Sequence, residues 1–124
     1  MKHVTKVHYH SVSKNLDVYF DDDSQAVFSC EFLRVHSPSA EVQGHGSAPM
    51  KLVFNKQSVG IKNIAHVGHY ALRIDFDDGH NSGLFSWQYF AKLQAQQTTL
   101  WDEYLKRVSE HNNSKDSVPI KFIP

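Results

Sequence analysis

The alternation of apolar and polar residues is most regular in the stretch HVGHYALRIDFDDGHNSGLFSWQYFAKL, residues 66–93. Apolar side chains recur at every second position from Tyr70 to Phe76, which is the period of a half-buried β-strand. Asp78-Gly79 follows, and this pair is a strong signal for a two-residue hairpin turn because glycine tolerates the positive φ that such a turn requires. The pattern therefore predicts a β-hairpin with Gly79 at positive φ.

The two-residue turn fixes the register of the predicted hairpin. Asp77 then lies opposite His80, and Asp75 lies opposite Ser82. In this register His80 and Ser82 share the face of the two aspartates, whereas Phe85 lies on the apolar face. We expect the His80 ring to pair with the carboxylate of Asp77 or Asp75.

Helical spacing begins directly after this hairpin. Ser86 is a good N-cap, and Trp87 and Phe90 are spaced so that both pack on the sheet. Thr99 resembles the start of a capping box, so the pattern predicts a second helix. The apolar stripe of that helix is Leu100, Trp101, Tyr104, Leu105 and Val108. After Glu110 the chain turns polar and is expected to fray.

The N-terminal half carries shorter patterns. Weak alternation over residues 4–10 predicts an edge strand, and residues 16–30 read as a hairpin closed by an acidic turn over residues 21–24. Cys30 falls on the apolar side of this hairpin, which predicts a buried and unreactive thiol. Glu31–His36 is a predicted helical turn, which ends because Pro38 restricts the residue before it.

A loop is predicted over residues 43–49, followed by strands over residues 50–54 and 58–65. The predicted fold is α+β: a mostly antiparallel sheet built from hairpins, with a short helical turn after strand three and two C-terminal helices. We expect one domain over residues 1–110 and a flexible tail over residues 111–124.

Composition narrows the functional classes. The formal net charge is zero, with 13 basic and 13 acidic residues, which argues against a general binder of nucleic acid or anionic membrane. The single cysteine excludes an internal disulfide and suits the cytoplasm. No apolar run approaches the roughly 20 residues of a membrane span. The composition has one unusual feature, its nine histidines. They are either scattered surface residues or part of a metal-binding or pH-sensitive site.

Three segments carry a family resemblance: FLRVHSPSAE at residues 32–41, VGHYAL at residues 67–72, and FDDGHNSG at residues 76–83, with Trp87 after them. Together, over about residues 14–94, they resemble the family related to the N-terminal domain of γ-butyrobetaine hydroxylase. The resemblance implies a compact, sheet-rich fold with a flanking helix. It also implies stand-alone bacterial proteins, and fusions to 2-oxoglutarate oxygenases or to P-loop ATPases that carry iron–sulfur clusters.

In the hydroxylase branch, the resemblance implies a structural zinc held by three cysteines and one histidine. The histidine matches His80, and the cysteine positions match Ser37, Ser39 and about Val42. All three thiolates are missing, whereas a closed zinc site needs four nitrogen or sulfur ligands. We therefore expect no cofactor, with zinc or iron at His80 as the alternative.

These observations predict a non-catalytic binding or adaptor domain rather than an enzyme. Its expected partner is a protein, with an iron–sulfur carrier ATPase as the candidate from the fusion context. The predicted binding residues come from the turn after residue 33 and from the hairpin: Arg34, His36, Ser37, Pro38, Ser39, Asp77, Asp78, Gly79, His80 and Ser82. A purely structural role for them is the competing interpretation. The alternative function is metal binding by His80 with His36, Asp77 or Asp78.

Overall fold

The computed structural model describes residues 2–43 and 51–116. Six strands form two antiparallel three-stranded sheets, and three helices accompany them in this part of the chain. The strands are β1 Val4–His10, β2 Asn15–Phe20, β3 Gln25–Ser29, β4 Ile61–Val67, β5 Ala71–Phe76 and β6 Leu84–Ser86. The helices are α1 Cys30–Val35, α2 Ala40–Gln43 and α3 Trp87–Asp116. The predicted α+β class and the antiparallel hairpins are confirmed.

The first sheet has the order β1-β2-β3. Leu16 lies opposite Phe28 in its ladder, and both side chains are fully buried because alternate residues of each strand face the core. The predicted edge strand and the first hairpin are confirmed. Cys30 is fully buried, and burial raises the pKa of its thiol to about 11, so the thiolate is disfavoured at neutral pH as expected.

The predicted helical turn is also confirmed and begins at Cys30. Ser29 caps it, since the Ser29 hydroxyl accepts a hydrogen bond from the Phe32 N–H at 3.0 Å. The turn ends at His36, whose N–H donates to the Phe32 carbonyl at 3.1 Å. The short helix α2 then begins two residues after Pro38.

The segment before the second sheet differs from the prediction. Residues 51–54 form no strand; instead the Lys51 N–H donates to the Val42 carbonyl at 2.7 Å. The next strand runs over 61–67 rather than 58–65, because residues 57–58 form a turn. Of the predicted loop, Gln43 belongs to α2, and the other residues, 44–49, lie outside the described residues together with residue 50.

The C-terminal region is one helix of 30 residues, so the prediction of two helices is wrong. No glycine or proline occurs between Trp87 and Asp116, and nothing in this sequence interrupts the helical hydrogen bonds at Thr99. The helix also continues past Glu110, where fraying was predicted, and residues 117–124 lie outside the described residues. No helix in residues 2–43 and 51–116 is long and apolar enough to cross a membrane.

The core lies where both sheets meet the start of α3. The Phe90 ring centroid is 6.3 Å from that of Phe28 in the first sheet and 5.4 Å from that of Phe85 in the second. Trp87 is also buried, and its indole N–H donates to the His69 carbonyl at 2.8 Å. The predicted packing of Trp87 and Phe90 is therefore confirmed. One helix start holds the two sheets around a shared aromatic core.

Candidate functional site

The hairpin between β5 and β6 turns through three residues rather than two. The Gly79 N–H donates to the Phe76 carbonyl at 3.2 Å, and the Phe76 N–H donates to the His80 carbonyl at 2.9 Å. Gly79 has φ +91°, as predicted. This is the pattern of a tight turn followed by a glycine bulge, and Asp78 supports it by accepting from the His80 N–H at 3.2 Å.

The extra turn residue reverses the predicted direction of His80. His80 lies opposite Phe76 instead of Asp77, so the pairs Asp77–His80 and Asp75–Ser82 do not form. His80 is 7% exposed as a residue, and its ring centroid is 6.1 Å from that of Phe76. The expected contact of His80 with Asp75 or Asp77 is wrong because a glycine bulge moves the ring to the apolar face.

His80 contacts two serines from the turn after α1. Its Nε2 lies 2.8 Å from Ser37 Oγ and 3.4 Å from Ser39 Oγ. Ser37 is 0% exposed and Ser39 is 5% exposed, so all three side chains are buried. A neutral imidazole accepts at Nε2 in one tautomer and donates there in the other, and a hydroxyl satisfies both. We call Ser37, Ser39 and His80 the serine–histidine cluster.

Local backbone contacts place the two serines. The Ser37 N–H donates to the Arg34 carbonyl at 3.3 Å, and the Ser39 carbonyl accepts from the N–H groups of Val42 and Gln43 at 3.1 and 2.9 Å. The Gln43 side-chain amide donates to the Ser37 carbonyl at 2.9 Å. The turn is therefore held by the end of α1 on one side and by α2 on the other.

A glycine allows the hairpin to reach this turn. A Cβ atom on Gly83 would overlap Ser37 Oγ and would lie 3.3 Å from the Cδ of Pro38, which is half-buried. Any side chain at this position would push the returning chain away from the turn. Gly83 therefore belongs to the site, although the sequence prediction did not include it.

The residues present do not fit the zinc that the family resemblance implies. The structure brings the equivalent positions together: Val42 is 2% exposed, and its N–H bonds to the Ser39 carbonyl beside His80. Their side chains, however, offer one imidazole, two hydroxyls and an alkyl group. Structural zinc sites in proteins are built from thiolates and imidazoles, with carboxylates as the further ligand type. At these positions the structure shows hydrogen bonds between His80 Nε2 and the hydroxyls of Ser37 and Ser39.

Next to the serine–histidine cluster, the Asp78 side chain connects the hairpin to two other segments of the chain. Its Oδ2 lies 2.8 Å from Arg34 Nε and 2.7 Å from Lys56 Nζ. Burial alone would raise the pKa of Asp78, but the hydrogen bonds from Lys56, Arg34 and the His80 N–H outweigh it and lower the pKa to about 2. Arg34 Nη1 is buried and has no hydrogen-bond partner among the described residues. The Asp78 carboxylate is thus an anion held in place by two cationic side chains.

The remaining predicted site residues divide into exposed and core positions. Asp77, Gly79 and Ser82 are exposed on the hairpin. His36 is 2% exposed and contacts the core, with Nδ1 donating to the Phe32 carbonyl at 2.8 Å and the ring 4.5 Å from that of Phe32. His36 is thus buried beside Phe32 rather than exposed with the hairpin residues, and its role in binding stays a prediction. Burial lowers the pKa of His36.

A second group of polar side chains lies on the other sheet. His8, His10 and Asp17 place one possible ligand atom each within 4.8 Å of one another. The prediction did not single out this group. The signal that would have found it is a His-x-His pair in the edge strand, opposite an aspartate in the neighbouring strand.

Comparisons with known proteins agree with this architecture. The family model for gamma-butyrobetaine hydroxylase-like N-terminal domains matches residues 7–91. Two proteins with NMR solution structures are 39% and 40% identical, with TM-scores of 0.78 and 0.77. Each match covers 100% of this chain, and 95% and 99% of the other chain. A comparison with curated proteins found no match.

A third solved structure extends the likeness. It is the crystal structure of a DUF971-family protein of unknown function from Acidithiobacillus ferrooxidans, 30% identical, with a TM-score of 0.62. The match covers 74% of this chain and 92% of that chain. The fold and the site define a small α+β domain in which a glycine-bulged hairpin meets the turn after a short helix. The chain belongs to the family of gamma-butyrobetaine hydroxylase-like N-terminal domains.

Proposed function

We propose that this chain is a non-catalytic protein-binding domain whose binding surface is formed by the exposed hairpin positions 77–79 and 81–82, with the partly exposed Arg34 and Lys56 beside them. The observation that carries the proposal is Asp78, which holds both cations within 2.8 Å at the rim of a buried cluster. Charged side chains that are already held in place are suited to binding, because they lose little conformational freedom when a partner docks.

The serine–histidine cluster supports a binding role over a catalytic one. Ser37 Oγ and His80 Nε2 are 2.8 Å apart, which is the distance between a nucleophile and its general base. A nucleophile must also reach its substrate, and Ser37 is 0% exposed. Ser39 Oγ lies 3.4 Å from the same nitrogen, so Nε2 is shared between two hydroxyls. The cluster is arranged to join the turn to the hairpin.

The proposed partner is an iron–sulfur carrier ATPase of the P-loop class. The support is the fusion of such ATPases to domains that this chain resembles, which is an argument by analogy. The buried thiol of Cys30 suits a reducing cytoplasm, and we propose that compartment. We propose no cofactor at His80, because the residues at the family's cysteine positions, Ser37 and Ser39, offer hydroxyls instead of thiolates.

Calorimetry of the purified chain with the purified ATPase of the same genome tests this function. Asp78→Lys and Lys56→Glu reverse charges on the proposed surface, and each should weaken binding by roughly tenfold. Asp22→Lys is the matched control, since Asp22 forms an ion pair with Lys2 at 3.2 Å in a different turn. Absence of binding by the unaltered chain would reject the partner. Equal affinity of the control and the surface variants would reject the surface.

A further inference from the structure

The outer face of the first hairpin brings two imidazoles and a carboxylate together. His8 and His10 lie two residues apart on β1, so both rings leave the same side of the strand, whereas Val7 and Tyr9 pack on the core. Asp17 on β2 is the cross-strand partner of His8. The ladder therefore fixes the backbone positions of all three residues.

Their side chains converge at short distances. The rings of His8 and His10 stack with centroids 4.4 Å apart, and His10 Nε2 lies 2.8 Å from Asp17 Oδ2. Asp17 is 14% exposed and His10 is 43% exposed in their side chains, while His8 is exposed. Solvent reaches the imidazoles directly, and the carboxylate lies at the base of the group.

We propose that His8, His10 and Asp17 form a binding site for a divalent first-row transition-metal cation, the class that zinc represents. Imidazole and carboxylate are ligands for such cations, and three protein ligands leave at least one coordination position open for water. Ligand atoms within 4.8 Å of one another need only side-chain rotations to reach metal–ligand distances of about 2.0–2.2 Å. The cation replaces the contact between His10 and Asp17 with two metal bonds.

The site is independent of the serine–histidine cluster. His80 and Asp78 belong to the β5–β6 hairpin of the second sheet, whereas His8 and Asp17 belong to the first. The donor sets also differ: the first contains the Asp17 carboxylate, whereas the serine–histidine cluster places two hydroxyls beside the His80 ring. The two proposals can therefore fail separately.

Isothermal titration with zinc chloride tests the site, using the full chain without an affinity tag after treatment with a chelator. We expect one bound zinc per chain at micromolar affinity. His8→Gln and Asp17→Asn should each weaken binding roughly tenfold or more, since each removes a ligand. Both side chains lie on an outer face, and circular dichroism checks that the variants remain folded.

Two matched variants identify where the cation binds. His66→Gln removes another exposed strand histidine, and His80→Gln removes the buried ring; neither should change zinc affinity. Wild-type protein that binds no zinc at about 100 μM would overturn the proposal. An equal loss in His66→Gln and His8→Gln would mean adventitious binding by surface histidines and would also overturn it. Loss in His80→Gln alone would place the cation in the serine–histidine cluster instead.

Discussion

His36 and His80 are both buried, but they differ in what surrounds them. His80 meets serine hydroxyls, which adapt to either tautomer of the ring. His36 lies between aromatic rings, with centroids 4.5 Å from that of Phe32 and 6.4 Å from that of Tyr104. A charged imidazolium in this second setting is poorly solvated, so protonation of His36 opposes folding.

We predict that His36 makes the chain less stable below neutral pH. Its folded pKa is lowered, so its stabilising contribution is complete above the unfolded pKa of about 6.5 and is lost as pH falls toward the folded pKa. His36→Asn should reduce the change in unfolding free energy between about pH 7 and 5, measured by urea denaturation. His66→Asn, at an exposed position, should leave the change intact. Parallel curves for wild type and His36→Asn would contradict this assignment.

Gly83 is predicted to be essential for the contact between hairpin and turn. Gly83→Ala places a Cβ atom against Ser37 Oγ, and the neighbouring Pro38 leaves little room for adjustment. We expect a loss of about 1–3 kcal/mol in unfolding free energy, as for other overpacked sites. Gly79→Ala is the comparison: nothing lies within 4 Å of its Cβ position, so only backbone strain at φ +91° acts there. Combining Gly83→Ala with Ser37→Ala should recover stability; no recovery would mean that the strain lies elsewhere.

At the scale of elements, the predicted hairpin register is correct away from the turn and wrong beside it. Leu72 lies opposite Phe85 as the alternation requires. Next to the turn, Phe76 pairs with His80, and an added residue after His80 restores the original register. Hydrophobic alternation specifies which face is buried but does not reveal two compensating irregularities. The alternation pattern therefore could not predict on which face of the hairpin the His80 side chain lies.

The long helix shows a different limit of sequence reasoning. Thr99 resembles a capping residue, yet capping signals also occur inside helices when nothing interrupts the backbone hydrogen bonds. The Gln97 side-chain amide donates to the Val27 carbonyl at 2.7 Å, so the helix also covers the edge of β3. Such tertiary contacts favour continuity and are not visible in a local motif.

Thr99→Pro tests whether α3 is continuous. Proline removes a backbone hydrogen bond in a helix interior and should cost about 3 kcal/mol, whereas at the start of a separate helix it would be tolerated. Thr99→Ala is the control and should be neutral or slightly stabilising, because alanine favours helices. Denaturation midpoints with unchanged slopes provide the measurement. Proline and alanine variants of equal stability would indicate two helices.

At the scale of the whole molecule, a few polar contacts connect segments that lie far apart in sequence. The Ile61 N–H donates to the Tyr9 hydroxyl at 3.0 Å, which links the two sheets. Asp78 connects the end of α1, the segment containing Lys56 and the β5–β6 hairpin. The resemblance correctly indicated that the turn and the hairpin meet around His80, whereas alternation alone placed His80 on the wrong face. Family motifs carry long-range information that local patterns do not.

Asp78 should stabilise the folded chain at pH values where its carboxyl group is ionised. Its pKa is about 2 in the folded chain against 3.8 for the free side chain, so its contribution is complete above about pH 4 and is lost as pH falls toward 2. Asp78→Asn should reduce the unfolding free energy at neutral pH by about 1 kcal/mol, after allowance for screening by water. The difference from wild type should shrink near pH 2. Asp75→Asn, which removes a surface ion pair with Arg73, should have little effect. A constant difference at all pH values would contradict the role of Asp78.

The most direct test of the account is the response of the His80 ring to zinc, followed by NMR of the imidazole nitrogens and carbons. We predict that the signals of His80 remain unchanged at one equivalent of zinc, because its Nε2 already hydrogen-bonds with the hydroxyls of Ser37 and Ser39. The signals of His8 and His10 should shift instead if their site binds the cation. Stoichiometric changes at His80, with micromolar or tighter affinity, would contradict a metal-free cluster in this domain.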